Sequence, residues 1–145
     1  MADSDLMQLY SRRILALTSA IPHQGRLADP QASAMRRSPH CGSSVLVDLA
    51  LRDGRISDFA QEVRACALGQ ASAAVLGQTA LGLDRATLSA TRDALKSMLT
   101  QDTPPPDGPF ADLEALTPAR AYPNRHASIL LAWDAALEAM DQALA

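Results

Sequence analysis

The run VLVDLALRDGRISDFAQEVRAC, residues 45–66, decides the fold. Val45, Val47, Leu49 and Leu51 alternate with Leu46, Asp48, Ala50 and Arg52, the period-two pattern of a strand with one face on a core. Asp53-Gly54 follows, a dipeptide suited to the two positive-φ positions of a tight hairpin turn. Ile56 comes next, and Phe59, Gln61 and Val63 then resume the alternation on a return strand. The stretch predicts a β-hairpin, with Asp48, Asp53 and Asp58 read as solvated positions or turn chemistry.

Outward from the hairpin the period changes. Ala67, Leu68, Ala71, Ala74, Val75 and Leu81 fit a small-residue helix beginning near Cys66. Gly69 and Gly77 weaken that helix by up to about 1 kcal/mol each relative to Ala. Asp84 caps a second helix bearing Leu88, Thr91, Leu95, Met98 and Leu99. Residues 102–109, DTPPPDGP, form a proline-rich loop. A short helix is expected around 111–117, and a longer one from Asn124 to Leu144 with Ile129, Leu130, Trp133, Leu137, Met140 and Leu144 as its apolar positions. On the other side, Gln31–Arg37 reads as an edge strand that Pro39 ends. Residues 5–20 carry Leu6, Leu9, Arg13/Ile14 and Leu17 at helical spacing, with Ser4 or Asp5 as N-cap. The sum is one α+β domain over residues 1–145: a small antiparallel sheet, made of the hairpin plus an edge strand, covered by about five helices.

Composition narrows the function classes. The 145 residues carry 13 basic and 16 acidic side chains, a net charge of −3. That balance argues against a general nucleic-acid binder, which needs a basic footprint. Apolar residues make up 48% of the chain but aromatic ones only 3%, so Ala and Leu must fill the core. No apolar run approaches the roughly 20 residues of a membrane span. The acidic start, MADSDLMQLY, lacks the basic and apolar segments of a secretory signal, so the expected location is cytoplasmic. Arg12/Arg13 and Arg36/Arg37 are basic pairs in an acidic chain; they read as solvated surface, with docking of an acidic partner as the alternative.

The chain has two cysteines, Cys41 and Cys66, too few for a disulfide scaffold or for a four-thiolate metal site within one chain. Cys41 lies in Ser38-Pro39-His40-Cys41-Gly42-Ser43, a turn before the hairpin, and Cys66 at the start of a helix just after it. Adjacent ends of an antiparallel pair lie side by side, so the two thiols are expected to meet at one end of the sheet. Helix N-terminal amides favour an anion at Cys66. The alternative is a pair of ordinary buried cysteines. His40 adjoins Cys41, but neighbouring side chains of an extended segment point apart, which makes it a weak candidate ligand. His23 is read as a solvated loop residue, Glu114 as helix surface and Trp133 as core.

The ordered set Ser38-Pro39-His40-Cys41-Gly42-Ser43, Asp53-Gly54-Arg55-Ile56 and Cys66-Ala67-Leu68-Gly69-Gln70-Ala71-Ser72-Ala73 resembles the IscU/SufU/NifU-type iron–sulfur scaffold family. That family reads approximately N-P-x-C-G-D, D-G-x-I and G-C-A/S-I-S-x-A-S-A. The resemblance continues through Met98-Leu99 and Leu113-Glu114-Ala115-Leu116 to Arg125 and Leu131-Ala132-Trp133.

The resemblance implies a scaffold or carrier rather than an enzyme, on which a transient [2Fe–2S] cluster is built or zinc is held. It further implies a cysteine desulfurase as sulfur donor, cluster-accepting apo-proteins as recipients, and Cys41 as a candidate acceptor of persulfide sulfur. The family's ligands are three cysteines and an aspartate. By position its first two cysteines match Cys41 and Cys66, its aspartate falls on Ser43, and its third cysteine falls on Ser128. Two of the four donors are thus hydroxyls, poor ligands for iron or zinc unless deprotonated. His40, His126, a partner's residues or a homodimer contributing two thiolates per chain would have to complete the site. His126 does not align with the family's usual basic residue, which falls on Ala127. The other reading is a degenerate scaffold fold that serves as an interaction or regulatory module for the desulfurase machinery without holding a cluster. A thiol-dependent sulfur-transfer protein or redox switch using Cys41 and Cys66 is a third.

Overall fold

The computed structural model describes residues 10–39 and 42–145. The predicted hairpin is present as β2 (Ser44–Arg52) and β3 (Arg55–Arg64). They pair antiparallel from Ser44↔Arg64 to Arg52↔Arg55, with a bulge at Ala50/Leu51. Asp53 and Gly54 take φ of 53° and 76°, the pair of left-handed residues that matches the twist of the flanking strands. The edge strand β1 (Ala32–Arg37) pairs antiparallel with β2, giving a three-stranded sheet of order β1-β2-β3.

The described helices are α1 (Arg12–Thr18), α2 (Ala67–Thr79), α3 (Arg85–Thr100) and α4 (His126–Leu144). Helices α2 and α4 cover one face of the sheet, with α1 packed on α2 and α3 on α4 as an outer layer. Two 3₁₀ segments, Gly108–Ala121 and Pro123–Arg125, precede α4. Helix α4 packs against β1, β2, α2 and α3, and Val45, Val47, Leu49 and Phe59 reach the same core from the sheet. Trp133 is fully buried; its indole N–H donates to Ser72 Oγ at 2.9 Å, and Ser72 donates to the Ile129 carbonyl at 2.6 Å, so the one polar atom of this side chain is satisfied.

Several expectations shift. Of the helix read over residues 5–20, Ser4, Asp5, Leu6 and Leu9 lie outside the described residues; within them the helix starts at Arg12, capped by the Ser11 hydroxyl on the Ile14 amide. The small-residue helix ends at Thr79, so Leu81 falls in the following turn and is exposed. Leu144 is also exposed, at the last turn of α4. The short helix expected at 111–117 is a longer string of 3₁₀ turns in which Pro118 has no N–H to give.

The chief correction concerns Asp48, which is fully buried rather than solvated. It stands on the sheet face away from the helices, but the loop between α1 and β1 lies over it. Arg26 Nε and Nη2 donate to its two oxygens at 2.6 and 3.2 Å, Ser33 Oγ at 2.6 Å and the Leu27 amide at 3.1 Å. A buried carboxylate needs such partners, and here they come from residues 15 to 22 positions away.

Candidate functional site

The β1–β2 connection, the start of α2 and the first turn of α4 converge at one end of the sheet. The strands part at the pair Arg37↔Ser44, and the Ser38 amide donates to the Ser43 carbonyl at 2.8 Å, closing the loop that carries His40 and Cys41. His40 and Cys41 lie outside the described residues. Gly42 has φ of 71°, a conformation open to glycine at little cost.

Cys66 is the N-cap of α2, in extended backbone, and its carbonyl accepts from the Gln70 amide at 2.9 Å. Its half-buried Sγ lies 3.6 Å from Ser128 Oγ in hydrogen-bond contact. Ser128, in the first turn of α4, lies in turn 3.1 Å from Ser43 Oγ. Both hydroxyls are buried. Positions 43, 66 and 128 therefore meet although 62 residues separate Cys66 from Ser128 and 85 separate Ser43 from it.

Gly69 makes this approach possible. A Cβ there would stand 2.7 Å from Ser128 Oγ and 2.8 Å from Ala65 Cβ, so α2 and α4 come together only because the position has no side chain. The sequence reading treated Gly69 as a weak point of the helix and missed that role; two glycines in an apolar helix are the available signal for close packing.

The histidines take no part at this end among the described residues. His126 Nε2–H donates to the Ala119 carbonyl at 2.9 Å, a backbone tie that anchors the start of α4. His23 is exposed, with φ of 62°, and its ring meets Phe59 edge-on at 6.1 Å. Among the described residues no group of three His, Cys, Asp or Glu side chains gathers in metal-binding geometry. The donor set at 43, 66 and 128 is one thiol and two hydroxyls hydrogen-bonded to one another, which fits soft-metal chemistry at Cys66 alone.

The surroundings are cationic. Arg37 and Arg64 stand exposed on the two strands flanking Ser44, and Arg125 immediately precedes α4. Glu114, by contrast, is an exposed surface residue paired with Arg13 at 3.3 Å, as its sequence context implied. No helix of the described residues is long and apolar enough to cross a membrane.

No family model matches the chain. It is 25% identical over 140 residues to the iron–sulfur cluster assembly scaffold protein IscU of Streptococcus pyogenes serotype M1, covering 97% of this chain and 87% of that one. A putative SUF-system scaffold protein from Fervidobacterium islandicum AW-1 shares the fold at 19% identity, with a TM-score of 0.82 over 92% of this chain and 98% of that one. The crystal structure of the N-terminal part of a nitrogen-fixing NifU-like protein from Brucella abortus matches with a TM-score of 0.93 and 43% identity over 97% of each chain. A likeness of that degree over nearly the whole length, on the same three-stranded sheet and helices, places the chain in the IscU/SufU/NifU-type scaffold family.

Proposed function

We propose that the chain acts as an iron–sulfur assembly scaffold whose cargo, a [2Fe–2S] cluster or a zinc ion, is held through Cys41 and Cys66. The observation that carries this reading is the convergence of Ser43, Cys66 and Ser128 beside the loop containing Cys41. Three positions at which the family places ligands thus meet here, two of them with the donor atom changed.

Two thiolates do not saturate a cluster. Two chains supply four, so the reading carries a cluster-bridged homodimer as the loaded form, with Ser43 and Ser128 shaping the pocket rather than binding. Sulfur would come from a cysteine desulfurase: the Cys41 thiolate attacks the outer sulfur of the donor's persulfide, a new S–S bond forms on Cys41, and the donor leaves as thiolate with no net change of oxidation state. Apo-proteins would receive the finished cluster.

A second reading is favoured by the hydrogen-bonded hydroxyls themselves: a partner-binding module of the desulfurase machinery that no longer builds clusters. One experiment separates the two. Iron, sulfide and zinc are measured in anaerobically purified protein and in Cys41→Ser and Cys66→Ser variants. Metal near one per chain, or one cluster per two chains, that is lost in both variants supports the scaffold. Protein that stays empty after anaerobic reconstitution supports the module.

A further inference from the structure

The sheet face turned away from the helices is divided in two. Over the rung Ser33–Asp48–Ala60 the α1–β1 loop covers it, held by Arg26 on Asp48. The next two rungs toward the Cys41 loop, Met35–Leu46–Glu62 and Arg37–Ser44–Arg64, are left open by the described residues. With Gly42 they line a groove of about 330 Å³ whose floor is Met35 and Leu46, Met35 being 48% exposed.

The groove carries two arginines, Arg37 and Arg64, and one acid, Glu62. Of the chain's twelve arginines, seven are ion-paired among the described residues. Arg37 and Arg64 have no such partner among the described residues, even though Arg36, next in sequence to Arg37, is paired with Glu138 of α4 at 3.1 Å. Glu62 lines the same groove on the Met35–Leu46 rung and contributes one negative charge to it. In a chain of net charge −3, two guanidinium groups against one carboxylate leave this apolar strip beside the cysteine loop net positive.

We infer that this groove docks an acidic segment of the sulfur-delivering partner, with Arg37 and Arg64 pairing to its carboxylates and Met35 and Leu46 taking an apolar side chain between them. Arg37 and Arg64 sit two strands apart, roughly 10 Å along the sheet. That spacing suits several carboxylates carried on one chain better than one small anion held by both. Docking here brings the partner to Gly42, the flank of the Cys41 loop, and steering by opposite charge raises the encounter rate. The inference rests on the scaffold reading, since it assumes a protein that delivers sulfur to Cys41 or Cys66.

The test measures the affinity of the full chain for the cysteine desulfurase of the source organism, at low and high ionic strength. Arg37→Glu with Arg64→Glu weakens binding about tenfold or more and flattens its salt dependence. Arg37→Gln with Arg64→Gln gives a smaller loss. Arg52→Glu, an unpaired exposed arginine at the far end of the hairpin, leaves binding unchanged. Wild-type affinity in the double charge reversal, an equal loss in Arg52→Glu, or no binding of the desulfurase by the wild-type chain overturns the inference. Metal and sulfide content of the same variants reports separately on the scaffold reading, because none of these arginines touches the Ser43–Ser128–Cys66 cluster.

Discussion

Ser43 and Ser128 hold their hydroxyl oxygens 3.1 Å apart, and Ser128 also touches Cys66 Sγ at 3.6 Å. On the proposed reading these are ligand positions occupied by two hydroxyls that hydrogen-bond to one another. Ser43→Asp combined with Ser128→Cys puts a carboxylate and a second thiol against Cys66. The expected result is a rise in bound zinc to about one per chain, four-coordinate with Cys41 included. Zinc content after dialysis, compared with each single variant, reads it out. Ser128→Ala alone leaves metal content at the wild-type level and costs about 1 kcal/mol for the lost hydrogen bond.

Asp48 is the buried charge on which the far side of the sheet depends. Burial pushes its carboxyl up, but the bonds from Arg26, Ser33 and the Leu27 amide outweigh this and hold it below the ordinary carboxylate value. The unfolded chain therefore binds the proton more readily than the folded one. Asp48 thus contributes stability in full above about pH 4, and that stability is lost as pH falls through the lower folded value. In urea unfolding, Asp48→Ala costs about 2–3 kcal/mol at neutral pH by stranding the Ser33 hydroxyl and the Leu27 amide. Asp48→Asn flattens the acid limb of the stability profile.

The hairpin was legible because two local signals agreed, period-two alternation over Val45–Leu51 and a turn dipeptide made for positive φ. The α3 helix was legible for a similar reason: Asp84 accepts from the Thr87 amide at 2.8 Å, and Leu88, Leu95 and Met98 face the core. Asp48 was not, because an acid at an outward strand position reads as solvated, and the loop that buries it lies some 20 residues upstream. Leu81 was misplaced because an apolar residue in helical phase says nothing about where the helix stops. The meeting of Ser43 with Ser128 has no local signature at all; only the order of the family's motifs singled out those two serines.

Gly54 tests the turn without touching any neighbour. A Cβ there meets nothing within 4 Å, so a substitution acts through backbone conformation alone. At φ of 76°, Gly54→Ala costs about 1–2 kcal/mol in urea unfolding, and Gly54→Asn costs less because Asn tolerates the left-handed region. Neither changes metal content, since the turn lies at the opposite end of the strands from Cys66.

Gly69 sets helix propensity against packing. In a solvated helix Gly→Ala is worth up to about 1 kcal/mol in favour of Ala. Here the added Cβ would lie 2.7 Å from the Ser128 hydroxyl, 2.8 Å from Ala65 Cβ and 3.1 Å from the Ser128 carbonyl oxygen. The carbonyl belongs to the backbone of a fully packed helix and cannot swing away, so packing wins. Gly69→Ala is expected to destabilise the chain by about 1–3 kcal/mol, and to raise the reaction rate of Cys66 with a thiol reagent in a Cys41→Ser background as α4 is pushed off it. Adding Ser128→Ala removes the closest of the three contacts and recovers part of the stability, not all of it. An increase in melting temperature for Gly69→Ala would show that α2 and α4 pack less tightly than the 2.7 Å approach requires.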